Sequence, residues 1–203
     1  MMSLEEKLPG VQENVSLAPL TTLRIGGGTR YLYLAKSEKE ILKVVTVAGE
    51  NQLPFFILGG GSNLLVSDNG FSGLVMKIQS SKIEIKGEKV KAESGAVLGM
   101  VVNRSIEAGL TGLEWAVGIP GTVGGAVCGN AGAFGHHLSE SVEKVEVMDE
   151  RNQTKNLPKE DCHFGYRESV FKRQSGVILG VILKLKKGNR EKSRKISQAY
   201  LAR

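Results

Sequence analysis

The stretch from Trp115 to Gly135, WAVGIPGTVGGAVCGNAGAFG, holds seven glycines and no charged side chain, although the chain as a whole is 24% charged. Because glycine has no Cβ, a ligand or a second backbone can lie directly against such a segment. We therefore expect a loop whose amide groups point into one concavity and hold a planar or anionic ligand.

A membrane span and a series of tight turns are two alternative structures for this stretch. Its length and neutrality suit a membrane span, but its many glycines, with Pro120 and Asn130, make a poor lipid-facing helix. Tight turns also use glycine, yet Gly118, Gly121 and Gly124 recur every third residue, more densely than turns alone require. The pattern therefore favours a ligand-binding loop.

Composition indicates an ordered globular chain. Its 203 residues are 41% hydrophobic with only five prolines, and the N-terminal MMSLEEKLPG lacks the apolar run of a secretory signal. Cys128 and Cys162 have no CxxC spacing and are expected to be free thiols in a reducing compartment. These features predict a soluble, cytoplasmic protein without a membrane span.

The net charge of +6 is concentrated near the end of the sequence. Residues 172–203 carry ten basic and one acidic residue, which leaves 17 basic and 20 acidic residues, a balance of −3, over 1–171. The mixed-sign run 190-REKSRKISQAYLAR-203 is typical of a solvated helix face and has no interleaved aromatic residues that would stack on bases. A nucleotide- or RNA-binding module that uses this basic tail is an alternative, but no nucleic-acid partner is expected.

Strands and helices alternate along the first 78 residues. A strand at Tyr31–Leu34 and another at Phe55–Leu58 flank a helix that begins at a Ser37–Glu40 capping box. We expect these strands to be parallel neighbours joined by the crossover helix. The apolar residues predicted on this helix are Ile41, Leu42, Val45 and Ala48. Two short strands at 64–66 and 74–76 would complete a first lobe over residues 1–78.

A second lobe is predicted over residues 79–188. Ile83–Ile85 and Val90–Ala92 have the pattern of a hairpin around Gly87, and a helix at 98–106 would stop at Gly109. Further strands are predicted at 142–147 and 177–185. The two lobes therefore belong to an α/β or α+β fold.

A second glycine-rich segment, 58-LGGGSNLLVSD-68, lies between predicted strands. It has neither the Lys-Ser/Thr of a P-loop nor the spacing of a dinucleotide-binding fingerprint. Its glycines, with Ser62 and Asn63, can form a nest of amides for a pyrophosphate. If both uncharged glycine segments serve one ligand, that ligand is long, partly planar and phosphorylated, which describes FAD. No metal is expected, since His136, His137 and His163 lack ligand spacing.

The segment 162-CHFGYRESVFK-172 places the guanidinium group of Arg167 next to the phenol of Tyr166. Tyr166 and Arg167 suit a carboxylate or phosphate substrate. A surface ion pair of Arg167 with Glu160 or Glu168 is the alternative.

Four segments together, 21-TTLRIGG-27, 58-LGGGSNLLVSD-68, 112-GLEWAVGIPGTVGGAVCGNAGAFG-135 and 165-GYRESVFK-172, closely resemble the UDP-N-acetylenolpyruvoylglucosamine reductase family. The resemblance implies an α+β, two-lobed FAD-binding fold of the vanillyl-alcohol-oxidase (PCMH) type, with the flavin between the lobes. It implies that the loop at 59–63 takes the pyrophosphate and that 118–132 lines the isoalloxazine. The implied cofactor-binding residues are Leu58, Gly59, Gly60, Gly61, Ser62, Asn63, Leu64, Gly118, Ile119, Pro120, Gly121, Thr122, Gly124, Gly125, Ala126, Asn130, Ala131 and Gly132.

The family's reaction reduces the enolpyruvyl group of a UDP-sugar with NADPH as hydride donor. The resemblance implies that Arg167 is the catalytic residue and that Tyr166 and Arg167 contact the substrate. A monomer is expected separately. In the family a Ser or Cys of a third domain donates the proton and a late Glu assists, and neither segment is matched here. We therefore expect residues 189–203 to begin that domain and the chain to bind FAD but be catalytically incomplete. Another FAD-dependent oxidoreductase of the same superfamily is the alternative.

Overall fold

The computed structural model describes residues 3–149, 151–173 and 176–202, and its contacts divide the chain into two compact units. The first runs to Ser80 and the second begins at Ser81. Met1, Met2 and Arg203, which fall in the predicted segments 1–78 and 189–203, lie outside the described residues.

The first unit is a small sheet with one long helix. In chain order its elements are α1 (Leu4–Lys7), β1 (Gln12–Ser16), a 3-10 turn (Ala18–Leu20), β2 (Gly28–Ala35), α2 (Glu38–Glu50), β3 (Phe55–Leu58) and β4 (Phe71–Ile78). The sheet order is β1-β2-β4-β3, with β1 antiparallel to β2 and the other pairs parallel. The predicted adjacency of the strands on either side of α2 is therefore wrong, because β4 lies between β2 and β3.

Helix α2 begins at the predicted N-cap. The Ser37 hydroxyl accepts a hydrogen bond from the Glu40 amide at 3.3 Å, but the Glu40 carboxylate accepts from the Lys36 amide, so only half of the capping box forms. The buried residues of α2 are Ile41, Val44, Val47 and Ala48. Leu42, predicted on the apolar face, is 38% exposed, because it lies to one side of the row that faces the sheet.

The predicted strand at 64–66 is absent. Leu64 and Val66 pack on the core of Leu17, Leu32, Leu58 and Val75, whereas Leu65 is 70% exposed. This alternation resembles a strand, but the segment pairs with no ladder partner. Instead the Gly27 and Gly70 amides both donate to the Ser67 carbonyl, which holds the chain as a loop.

The second unit is built on a larger antiparallel sheet. Its elements are β5 (Ile83–Lys86), β6 (Lys89–Glu93), α3 (Leu98–Glu107), β7 (Leu110–Thr111), a 3-10 turn (Glu114–Ala116), α4 (Val123–Cys128), β8 (Gly132–Ala133), β9 (His136–His137), a 3-10 turn (Leu138–Glu140), β10 (Val142–Met148), β11 (Thr154–Pro158), 3-10 turns (Lys159–Cys162 and Val170–Lys172), β12 (Val177–Lys184), β13 (Lys186–Lys187) and α5 (Arg190–Leu201). The main sheet has the order β11-β10-β12-β6-β5, and small two-stranded pairs join β13 to β7 and β8 to β9.

Helices α3 and α4 supply apolar side chains to one core together with this sheet. Val101, Val127 and Val181 are each 0% exposed within it. The predicted stop of α3 is confirmed, since Gly109 follows it with φ +73 and donates its amide to the Ile106 carbonyl. The predicted hairpin at Gly87 and the strands near 142–147 and 177–185 also form.

Helix α5, in the segment expected to begin a third domain, makes its contacts within the second unit. Arg190 and Arg194 both pair with Glu107 of α3. The helix also packs against the 3-10 turn Glu114–Ala116.

Both cysteines are free. Burial is the main cause that raises the pKa of the Cys162 thiol to about 12, and burial also raises the pKa of Cys128. Neither is a ready nucleophile. Among the described helices, none has the length and apolar character needed to span a bilayer.

Candidate functional site

The glycine-rich stretch is only partly the loop that the sequence predicts, because residues 123–128 of it form α4. The amides of Val123 and Gly124 donate to the carbonyls of Ala96 and Ser94, each at 2.8 Å. These two donors are therefore used within the protein and do not point into an open concavity. The segment at 94–96 and the start of α4 are held together as a result.

Gly124 and Gly125 differ in their surroundings. A Cβ at Gly124 would lie 2.9 Å from the Ser94 Cβ, whereas one at Gly125 would meet only the Thr122 hydroxyl at 3.8 Å. Neither residue has a positive φ; in this stretch positive φ occurs at Gly121 (+117) and Asn130 (+39), among others. The close contact with Ser94 thus explains why position 124 is a glycine, whereas the space beside Gly125 is open.

Two buried hydroxyls beside this glycine pair have no hydrogen-bond partner in the described part of the chain. They belong to Ser94 and Thr122, which are 2% and 8% exposed. An unpaired buried polar group is costly, and such a group is often satisfied by a bound ligand or water. Thr122 was predicted to contact the cofactor. Ser94 was not, since nothing in its local sequence indicates that it packs against α4.

The glycine loop of the first unit has a close backbone contact. Gly61, at φ +68, would place a Cβ 2.2 Å from the Leu20 carbonyl oxygen, and its own carbonyl accepts from the Thr22 amide. The sequence predicted a loop without a cation, but the Lys77 ammonium lies 2.9 Å from the Gly59 carbonyl oxygen. Burial lowers the pKa of Lys77. The sequence pattern gives no signal for this lysine, because it is 18 residues away along the chain.

Three hydrogen bonds join the Tyr166-Arg167 turn to the last residue of α4 and to residues that follow it. The Asn130 amide donates to the Gly165 carbonyl at 2.8 Å, and the Ser169 hydroxyl donates to the Cys128 carbonyl at 2.6 Å. Arg167 donates from Nη2 to the Gly132 carbonyl at 2.7 Å. Asn130 and Ser169 are buried, at 5% and 1% exposure, so their two hydrogen bonds are partly shielded from water, whereas that of Arg167 is exposed.

A pocket of about 460 Å³ lies where these segments meet, entirely within the second unit. It is lined by Asn130, Gly132, Ala133, Gly135, His136, His137, Ser139, Phe164, Gly165, Tyr166 and Arg167. Four of the predicted site residues, Asn130, Gly132, Tyr166 and Arg167, therefore share one pocket. Tyr166 is 94% exposed, so its side chain is free to contact a ligand.

The other predicted site residues lie elsewhere. Leu58 ends β3 and residues 59–64 follow it in the first unit; Gly118, Ile119, Pro120, Gly121 and Thr122 precede α4; Gly124, Gly125 and Ala126 lie in α4; and Ala131 precedes β8. Their contact with a cofactor stays a prediction.

Two histidines of this pocket were expected to be ordinary surface or core residues. His136 Nδ1 lies 3.0 Å from a Glu140 carboxylate oxygen, and His137 Nδ1 lies 2.8 Å from the Ser139 hydroxyl. Across the described ranges, no three His, Cys, Asp or Glu side chains form a group that could hold a metal ion. The signal for these contacts in the sequence was the short separation of His136 and His137 from Glu140, four and three residues along the chain.

Comparison with known proteins identifies the family and the fold of this chain. The FAD binding domain family matches residues 29–157. UDP-N-acetylenolpyruvoylglucosamine reductase of Caldanaerobacter subterraneus subsp. tengcongensis is 40% identical over 176 residues, which are 86% of this chain and 58% of that protein. The enzyme of the same name from Caldicellulosiruptor bescii is 42% identical over 178 residues, 86% of this chain and 56% of that protein. The chain thus spans less than two thirds of the length of these relatives.

Solved structures support the same family and fold. The crystal structure of UDP-N-acetylenolpyruvylglucosamine reductase from Thermus caldophilus has a TM-score of 0.80 and 32% identity, covering 93% of this chain and 67% of that one. An alkyldihydroxyacetonephosphate synthase shares the fold at a TM-score of 0.61 and 15% identity, over 87% of this chain and 37% of that one. The fold is the α+β, PCMH-type FAD-binding fold that the resemblance predicted. The chain belongs to the FAD binding domain family and, within it, to the UDP-N-acetylenolpyruvoylglucosamine reductase family.

Proposed function

We propose that this chain binds FAD and serves in the NADPH-dependent reduction of UDP-N-acetylglucosamine enolpyruvate to UDP-N-acetylmuramate, a step in peptidoglycan precursor synthesis. The observation that carries the proposal is the pocket in which Tyr166 and Arg167 meet Asn130 and Gly132. It unites the residues assigned to the substrate with the end of the segment assigned to the flavin.

The residues of the glycine-rich stretch fit a flavin nucleotide. The face of Gly125 is open, and the nearby Thr122 and Ser94 hydroxyls lack partners that a polar ligand could supply. We assign the isoalloxazine to residues 118–132 and the pyrophosphate to the loop at 59–63. When bound, FAD would supply the hydride carrier between NADPH and the substrate.

Arg167 is the group that we assign to the substrate. Hydride addition to the enolpyruvyl double bond develops negative charge on the carboxylate side, and a guanidinium placed there stabilises it. The Asn130 and Ser169 hydrogen bonds fix the turn that carries Arg167. Tyr166, exposed beside it, would position the same end of the substrate.

The proposed reaction also bears on the protein's location and partners. NADPH and nucleotide sugars are substrates of cytoplasmic enzymes, so we infer a cytoplasmic protein. We also propose that the chain acts as a monomer.

The test uses the chain loaded with FAD under anaerobic conditions. We expect NADPH to bleach the flavin absorbance, and the enolpyruvyl UDP-sugar to change the flavin spectrum. Hydroxy acids and phenols serve as the control panel for other oxidoreductases of this fold. Bleaching of the oxidised flavin by one of those compounds, with no response to the UDP-sugar, would contradict the proposal.

A further inference from the structure

His136 and His137 border the same pocket as Arg167. Both belong to β9, which pairs with β8, and the β8 residue Gly132 accepts the hydrogen bond from Arg167. The side chains of His136 and His137 are about half exposed, at 47% and 53%. A ligand in the pocket could therefore reach both imidazoles and the guanidinium.

The imidazole of His136 has two neighbours at the edge of the pocket. Glu140 lies 3.0 Å from Nδ1, and its hydrogen bond with His136 is the main cause that lowers the pKa of this carboxyl, so it stays ionised. The Trp115 ring stacks on the imidazole with centroids 6.1 Å apart and planes at 22°. The carboxylate and the indole therefore orient this imidazole.

The groups that line the pocket suit an anionic ligand. Arg167 carries a positive charge, Tyr166 offers a phenol hydroxyl, and Glu140 lies on the side of the histidines. The Lys172 ammonium donates to the Arg167 carbonyl. An imidazole N–H donates hydrogen bonds to anions, so His136 and His137 add donors beside the Arg167 guanidinium.

We propose that His136 and His137, together with Arg167, bind an anionic group of the ligand, a carboxylate or a phosphate. The identity of the ligand as an enolpyruvyl UDP-sugar rests on the proposed function. The anion site itself rests on the pocket and the charges that line it.

Imidazole NMR tests the proposal directly, because the chain has only three histidines. The probes are UDP-N-acetylglucosamine, its enolpyruvyl derivative, and sodium sulfate at matched ionic strength. We expect the His136 and His137 signals to shift, while His163, which is exposed and outside the pocket lining, does not. A response to both sugars assigns the diphosphate, and a response to the derivative alone assigns the carboxylate.

Variants measure the contribution of the two imidazoles to binding. His136→Asn keeps a donor toward Glu140 but removes the imidazole; it is combined with His137→Asn, and His163→Asn is the matched control. Wild type and the control should bind the enolpyruvyl UDP-sugar about fivefold more tightly than the double variant, as the loss of two exposed polar contacts allows. The double variant should keep its melting temperature.

The outcomes separate the two proposals. A chain that takes up FAD but whose pocket histidines ignore both sugars, or respond equally to sulfate, overturns the anion site alone. Unchanged affinity of the double variant for the enolpyruvyl UDP-sugar overturns it as well. A chain that takes up no FAD, but whose pocket histidines respond to the sugars, overturns the proposed flavin function and supports the anion site.

Discussion

At the scale of single residues, substitutions at Gly124 and Gly125 distinguish a role in packing from a role in ligand contact. We expect Gly124→Ala to destabilise the apoprotein by about 1–3 kcal/mol, because the added methyl group overlaps Ser94. Gly125→Ala should leave stability unchanged or raise it by up to about 1 kcal/mol, because alanine favours the helix and the space is free. Urea unfolding measures both changes in stability.

The same pair tests the flavin assignment. If the isoalloxazine lies against residue 125, Gly125→Ala should weaken FAD binding without loss of fold. Equal destabilisation by both alanines would contradict the difference in packing between the two faces of α4.

Arg167→Ala should change substrate binding and little else. The side chain is exposed and makes one backbone hydrogen bond, so stability should stay within about 0.5 kcal/mol of wild type. Loss of a charge-assisted hydrogen bond to the substrate should cost about 1.5–3 kcal/mol of binding free energy.

Calorimetry with FAD and with the enolpyruvyl UDP-sugar measures the two affinities. Arg173→Ala is the matched control, since Arg173 is also exposed and pairs only loosely with Glu168, at 3.7 Å. A fall in FAD affinity for Arg167→Ala as large as the fall in substrate affinity would place the arginine in the cofactor site instead.

The sequence predicted those site residues that lie in recognisable motifs. Asn130, Gly132, Tyr166 and Arg167 were named in advance and share a pocket. Ser94 and Lys77 were missed because their contacts, with α4 and with the Gly59 carbonyl, join segments distant in sequence. His136 and His137 lack metal-ligand spacing and were expected to be surface or core residues, although a pocket can also use imidazoles as hydrogen-bond donors.

At the scale of elements, Glu114 attaches α5 to the segment that precedes the glycine-rich stretch. Its carboxylate accepts from the Thr111 hydroxyl at 2.6 Å and from the Gly112 amide at 2.8 Å, and it also bonds Ser193 of α5. Burial raises the pKa of Glu114, but these hydrogen bonds outweigh it and leave the pKa below its usual value.

Glu114→Gln should therefore destabilise the protein by about 1.5–3 kcal/mol at neutral pH. The glutamine NH₂ would replace one accepting oxygen and face another donor. Because the folded-state pKa is depressed, the contribution of Glu114 is present above the usual carboxyl range and is lost as pH falls through the folded pKa.

The measurement is chemical unfolding as a function of pH. The difference between wild type and Glu114→Gln should shrink in acid, whereas Glu191→Gln, an exposed substitution on α5, should have little effect at any pH. A difference that does not change with pH would rule out this carboxylate as the cause.

The sequence predicted helices and strands correctly where hydrophobic periodicity and capping residues agreed. It failed where pairing between strands distant in sequence determines the structure. Helices α2 and α3 and the β5–β6 hairpin were expected. The position of β4 between β2 and β3 depends on long-range pairing, which a single sequence does not reveal. Residues 64–66 have the alternation of a strand but form a loop, because the backbone that follows them is held by contacts with glycines at 27 and 70.

At the scale of the whole molecule, the family resemblance predicted the PCMH-type fold, which composition and periodicity could only narrow to α/β or α+β. The central claim is that this chain is a flavin-binding protein. Its direct test is a titration of FAD into the purified apoprotein, followed by desalting and absorbance. We predict one FAD retained per chain, with weaker retention by Gly125→Ala. A chain that stays colourless after the titration, while its unfolding transition remains cooperative, would contradict the account.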